Sequence, residues 1–208
     1  MKRTFVLLLG MITAAALAGC STVQSTEEAQ NSSAQTETEM TDHTDTNSAE
    51  PEGKAAVVYF SCTGTTRKAA ELVAEAAGAD LYEILPEEAY TEADLNYQDD
   101  SCRANKEQND PDARPAIEND LSMITEYDVV YLGHPIWWGT NPRIIQTFLE
   151  SYDLTGAKIF TFCTSGGSGI EKSVSDLQSE YPGLNIISGK RLNNADAEDI
   201  ESWLSTLN

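Results

Sequence analysis

Basic residues are scarce in this chain: 13 Lys and Arg stand against 34 Asp and Glu in 208 residues, a formal net charge of -21. Such a field repels phosphate backbones and anionic head groups and attracts basic partners, which argues against nucleic-acid binding. Cysteine is also scarce. The four present, Cys20, Cys62, Cys102 and Cys163, are too few for a disulfide scaffold and show neither CxxC nor the Cys and His spacing of a zinc site. No internal repeat is visible. The length suits one domain of ordinary size and excludes two large ones.

A long apolar run stands at the very start. Lys2 and Arg3 precede Phe5 to Leu9, and the run continues through Met11 and Ile12 to Ala18, the charged and apolar regions of an export signal. It ends in Leu17-Ala18-Gly19-Cys20, which resembles the lipobox of bacterial lipoproteins. That resemblance implies removal of residues 1–19 and a diacylglycerol on the Cys20 sulfur. The alternative is an ordinary signal peptide, or an uncleaved anchor, with a chance Cys at its end. Cleavage would leave 11 basic against 34 acidic residues, a net of -23. From Ser21 to Glu52 there is no Lys, Arg or aromatic residue, and Val23 and Met40 are the only larger apolar groups. Such a stretch cannot pack a core, so residues 20–52 are expected to be a lipidated, disordered acidic tether. The protein is then expected to sit outside the cytoplasm, anchored to a bacterial membrane without spanning it.

Residues 53–208 read as alternating strands and helices. Ala55 to Phe60, Asp128 to Gly133 and Lys158 to Cys163 are apolar runs without polar alternation, as strands covered on both faces require. Leu81 to Leu85 and the weaker Ile186 to Ser188 complete five strands. Helices are predicted over Arg67 to Ala77, capped by Gly78, and near Arg143 to Tyr152, Glu171 to Tyr181 and Ala197 to Leu207. Alternation with right-handed crossovers predicts an α/β fold, a three-layer doubly wound parallel sheet. Residues 87–115 break the pattern. Charged, turn-rich and too long for an ordinary connection, they are expected to be a functional cover or an irregular surface insert.

Three unusual loops fall at strand carboxyl ends, where open α/β sheets bind ligands. The first, Ser61-Cys62-Thr63-Gly64-Thr65-Thr66, offers four hydroxyls beside a helix N-terminus that favours an anion. It has neither the Lys of a nucleotide P-loop nor the glycines of a dinucleotide fingerprint, so a phosphate monoester suits it best. A hydroxyl-rich helix cap is the plainer reading. The second, Pro135-Ile136-Trp137-Trp138-Gly139-Thr140-Asn141-Pro142, carries two adjacent Trp, suited to stacking on a flat ligand or, for one of them, to the core. The third, Thr164-Ser165-Gly166-Gly167-Ser168-Gly169, allows close backbone approach, or is simply a flexible turn.

Taken together, a phosphate cradle, an aromatic plate and a Gly-rich edge describe a flat heteroaromatic cofactor with a phosphate tail. These three motifs, in this order, resemble those of the flavodoxin family over about residues 54 to 207. The resemblance implies FMN, a strand order of 2-1-3-4-5 and one- or two-electron transfer. It places the phosphate on Ser61, Cys62, Thr63, Gly64, Thr65 and Thr66. The ring would meet Pro135, Ile136, Trp137, Trp138 and Gly139 on one side and Thr164, Ser165, Gly166, Gly167 and Gly169 on the other, with either Trp stacking. Family members usually place an aromatic residue in the third loop, and this loop has none. Tyr90 or Tyr97 of the insert could supply the missing cover.

The function expected is an electron carrier docking a basic redox partner or serving a small acceptor. An NAD(P)H-dependent FMN or quinone reductase and a non-redox binding module are the alternatives. His134 could donate a proton or simply be hydrogen-bonded at a strand end; Arg103 and Arg114 could meet a nucleotide phosphate or pair with surrounding acids. Cys62 and Cys163 are expected roughly 9 to 10 Å apart across an intervening strand, beyond disulfide reach. Cys102 could in principle pair with one of them.

Overall fold

The computed structural model describes residues 53–207; the export signal, Cys20 and the tether lie outside the described residues. Five strands form one parallel sheet: β1 (Ala55–Tyr59), β2 (Asp80–Glu83), β3 (Val129–Pro135), β4 (Lys158–Thr164) and β5 (Asn185–Arg191). Their order is β2-β1-β3-β4-β5, as the family resemblance implies.

The apolar runs carry this sheet because each central strand is covered twice. On one face Val57, Tyr59, Tyr131, Phe160 and Phe162 pack against Ala70 and Val73 of α1 (Thr65–Ala77) and Trp203 of α5 (Ala197–Leu204). On the other, Ala56, Val58, Val130, Leu132 and Ile159 meet Ile145 and Phe148 of α3 (Ile144–Ser151) and Leu177 of α4 (Glu171–Glu180). Gly133 is a packing requirement: a Cβ there would overlap the Phe162 ring on the neighbouring strand. The predicted Gly78 cap is present, with φ 59° and its N–H bonded back to Glu75.

Element boundaries shift by up to three residues. Helix α1 starts at Thr65, and β5 runs to Arg191 because its backbone pairs with β4 even where Gly189, Lys190 and Arg191 offer no apolar signal.

The insert holds a helix the sequence did not announce, α2 (Arg103–Asn109), and a 3-10 turn follows at Ser122–Glu126. Its base is closed by backbone bonds from Glu87 to Ala116 and from Glu118 to Leu85. Tyr90 plugs it into the core, edge-on to Phe60 and Trp137 at 5.8 and 5.3 Å between ring centroids. Such pairs contribute about 0.5–1.5 kcal/mol each beyond burial. No helix among the described residues is long and apolar enough to cross a membrane.

Candidate functional site

Parallel strands all end on the same side, so the loops after β1, β3 and β4 share one edge of the sheet. Between them lies a cleft of about 660 Å³. The volume falls in the usual range for sites that enclose a small ligand. None of its sixteen lining residues is charged. A smaller cleft of about 150 Å³, lined by Tyr127, Asp128 and Leu154 among others, lies at the opposite end of the strands and gathers none of the loop motifs.

The first loop contributes Ser61, Cys62, Thr63, Thr65 and Thr66 to the lining. Gly64, at φ 81°, turns the chain into α1, and its N–H donates to Ser61 Oγ at 3.1 Å. The residue before the helix is therefore glycine, and no side chain caps the first turn. That decides against the plain capping role. Thr63 and Thr65, whose exposed hydroxyls lie 3.3 Å apart, line the cleft together at the start of α1. Thr66 is buried instead, and its hydroxyl meets that of Thr164 at 2.8 Å, tying loops one and three. Arg67 is committed to Glu83 at 2.7 Å.

The second loop separates the two Trp. Trp137 is half-buried, edge-on to Phe60 and Tyr90, and also lines the cleft. Trp138 is 48% exposed, lines the cleft, and stands edge-on to Tyr97 at 6.5 Å. The loop is a tight turn, with Trp137 and Thr140 exchanging backbone bonds of 2.9 and 3.0 Å. Its central residues, Trp138 and Gly139, have φ of 49° and 85°. A bulky residue at positive φ is strained, a feature that gathers at functional sites. Pro135 and Ile136 also line the cleft, and Ile136 N–H bonds to Thr164 O at 2.9 Å.

The third loop presents Thr164, Ser165 and Gly166. Gly166 and Gly167 have ordinary φ, and a Cβ on either would meet nothing within 4 Å. Nothing in the protein itself requires glycine there. Gly169 differs, since a Cβ on it would overlap the Glu171 carboxylate. Gly64, Gly139, Gly167 and Gly169 are absent from the lining; Gly64 and Gly139 shape their loops through positive φ, and Gly169 leaves room for Glu171.

Leu95, Tyr97, Ala104 and Asn193 complete the lining. The insert is thus a wall of the cleft, with Asn105 holding it closed through bonds to the Tyr97 and Asp99 carbonyls. Of the two Tyr considered as cover, Tyr97 reaches the site, whereas Tyr90 is taken up by Phe60, Trp137, Glu107 and Arg103. Asn193 was missed. Its amide accepts from Ser165 N–H at 2.8 Å and donates to Ser165 O at 2.6 Å, so the end of β5 carries the third loop. The rule that ligands bind at strand carboxyl ends could have found it, since Asn193 follows the fifth strand.

His134 is fully buried. It carries its proton on Nδ1, because Pro135 O at 3.0 Å can only accept, and Ser173 Oγ lies 3.3 Å from Nε2. Burial pushes its pKa down to about 4, which removes it as a proton donor near neutral pH. The Cys62 and Cys163 thiols are pushed up to about 12, chiefly by burial. Cys62, Cys102 and Cys163 are all free. Arg103 pairs with Glu107 at 2.6 Å and Arg114 with Glu150 at 2.8 Å, leaving neither for a nucleotide phosphate.

A flavodoxin family model matches residues 54–207. Among solved structures, a candidate flavoprotein from Bacteroides eggerthii DSM 20697 is 46% identical, covering 74% of this chain and 98% of that one with a TM-score of 0.73. Another candidate flavoprotein, from Bacteroides uniformis ATCC 8492, is 46% identical over the same shares, with a TM-score of 0.72. A flavoprotein in complex with FMN from Lactobacillus acidophilus NCFM is 24% identical, covers 73% of this chain and 99% of that one with a TM-score of 0.55, and shares the fold. No curated protein matches. With strand order, loop placement and family model agreeing over nearly all the described residues, this chain belongs to the flavodoxin family.

Proposed function

We propose that the cleft binds FMN and that the protein is an electron carrier. The observation that carries this reading is the pairing of two unexplained features across one uncharged cleft. Trp138 is held half-exposed in a strained turn, and Gly166 lines the same cleft with no packing or φ reason to be glycine. A flat ring between them, with its phosphate at the other end of the cleft, accounts for both. FMN, when bound, supplies one- or two-electron chemistry, and the protein supplies placement and tuning.

The chain's own groups divide that work. The α1 first-turn N–H groups with the Thr63 and Thr65 hydroxyls would hold the phosphate without a cation, as helix N-termini do. Trp138 would cover one face of the ring and exclude water there. Backbone groups at Ser165 and Gly166 would meet the other side. Neutral Cys62 adds no charge beside the phosphate.

One observation favours the reductase as second reading: the wall made by Thr164, Ser165, Gly166 and Asn193 holds no aromatic side chain, so one ring face would stay open to a small acceptor. The uncharged lining gives a nicotinamide nucleotide no cationic anchor, which ranks the carrier first. The strongly acidic chain suits a basic redox partner. Anchoring on the outer side of a bacterial membrane through Cys20 rests on the sequence of residues 1–52 alone.

Titration of FMN into the purified protein tests the reading. One-to-one binding that quenches Trp emission, with slow NADH and NADPH oxidation, supports the carrier. Rapid oxidation makes it a reductase, and silence towards FMN, FAD and riboflavin makes it a binding module for another ligand.

A further inference from the structure

Trp138 sits where a bulky side chain does not rest of its own accord, and such a conformation persists only when its surroundings over-determine it. The two backbone bonds between Trp137 and Thr140 close the turn. Helix α4, which none of the loop motifs includes, holds it from behind. Thr140 Oγ1 donates to Asp176 Oδ2 at 2.7 Å, and Lys172 Nζ lies 2.5 Å from the same carboxylate oxygen. The Lys172 stem backs the turn, since a Cβ on Gly139 would meet its Cδ at 3.8 Å. Burial pushes the Asp176 carboxyl up, but the bonds from Lys172 and Thr140 outweigh it and hold it below its ordinary value. The acceptor is therefore ionised at neutral pH. Neither Asp176 nor Lys172 lines the cleft. Helix α4 also begins two residues after Gly169, so one rigid element ties the second loop to the third.

We propose that Asp176 is a positioning residue for the flavin site: through Thr140 it locks the Trp137-Trp138-Gly139-Thr140 turn in the conformation that aims Trp138 into the cleft, while Lys172 holds the carboxylate in place. This deepens the flavin reading and rests on it. The lock acts on the ring end of the ligand and is indifferent to the phosphate end. Its removal weakens FMN and riboflavin by the same factor. A phosphate-loop change such as Thr65→Ala, in contrast, weakens FMN and spares riboflavin.

The experiment compares Asp176→Ala, Asp176→Asn, Thr140→Val and Thr65→Ala in the whole protein. Readouts are FMN and riboflavin titrations, and, without any flavin, acrylamide quenching of Trp emission and near-UV circular dichroism. Asp176→Ala and Thr140→Val are expected to weaken both flavins about tenfold, the loss of one hydrogen bond to a charged group. They also change the quenching of the exposed Trp in flavin-free protein. Asp176→Asn keeps an acceptor for Thr140 and recovers most of the affinity. Should Asp176→Ala fail to fold, Thr140→Val cuts the same bond from the other side and decides the matter. Variants that lower thermal stability yet leave flavin affinity and Trp quenching as in the wild type overturn the proposal. If the wild type binds neither FMN nor riboflavin, the flavin reading fails, and the quenching comparison still decides whether Asp176 locks Trp138.

Discussion

Replacing the two adjacent tryptophans one at a time should separate stability from binding. Trp138 is 48% exposed and strained at φ 49°, with Tyr97 and Trp137 as its edge-on aromatic neighbours at 6.5 Å between ring centroids. Trp138→Gly relieves backbone strain on the order of 1–3 kcal/mol. It gives back roughly 0.5–1 kcal/mol in glycine entropy and some lost burial. The flavin-free protein should therefore melt at or slightly above the wild-type temperature. Trp137 is half-buried against Phe60 and Tyr90. Full burial would make Trp→Ala cost about 3–5 kcal/mol, and partial exposure discounts that to about 2–3. In a domain of this size, a loss of that order lowers Tm by roughly 4–12 °C. Binding should divide the other way. Loss of aromatic stacking costs about 1–3 kcal/mol per ring, so Trp138→Gly should raise the FMN Kd by roughly 5- to 150-fold. Thermal denaturation without flavin and fluorescence titration with FMN measure both quantities on both variants. If Trp138→Gly destabilises the protein as much as Trp137→Ala and leaves the Kd within about twofold, the division of labour between the two rings is wrong.

Further measurements bear on other parts of the site. Gly166→Ala meets open space, so it should leave the flavin-free Tm unchanged or raise it through about 0.4–1 kcal/mol of unfolded-state entropy, while weakening FMN. Equal FMN affinity in the variant would show that no ligand approaches there. His134 has a folded pKa of about 4 against an ordinary value of 6.5, so the unfolded chain binds its proton first. Stability is full above pH 6.5 and falls by roughly 3 kcal/mol as pH drops towards 4. Denaturant melts of His134→Gln across that window should show a shallower fall, and parallel curves would refute the assignment. Thr66→Val and Thr164→Val each orphan one buried hydroxyl and should each cost about 1–3 kcal/mol, whereas the double variant should lose less than the sum. Strict additivity would mean that the two hydroxyls do not depend on each other.

Much of this was legible in the sequence because it depends on local repetition. The unbroken apolar runs at Ala55, Val129 and Lys158 marked strands covered on both faces. The punctuation after each run marked the loops that parallel topology must bring to one edge. The insert was legible only as an exception. Its helix α2 is short and polar, and it is held by Asn105 and by the capping Cys102 Sγ rather than by an apolar stripe. Asn193 carried no motif, since a single Asn after a weak edge strand has no distinguishing signal.

Alternation of elements and the three loops at the cleft were readable from periodicity and from residue types a few positions at a time, and the motifs in those loops carried the family resemblance that the family model bears out. Long-range packing settled which of the two cleft-lining Trp is anchored in the core and which stands exposed, which insert Tyr reaches the site, and that Arg103 and Arg114 are already paired. The physical reason is distance along the chain. Trp137 is half-buried against Phe60 and Tyr90, each some 45 to 80 residues away, and Trp138 is turned outward by a positive φ in a turn whose Thr140 bonds to Asp176. Two identical residues side by side carry the same local signal, and contacts from elsewhere in the fold separate their roles.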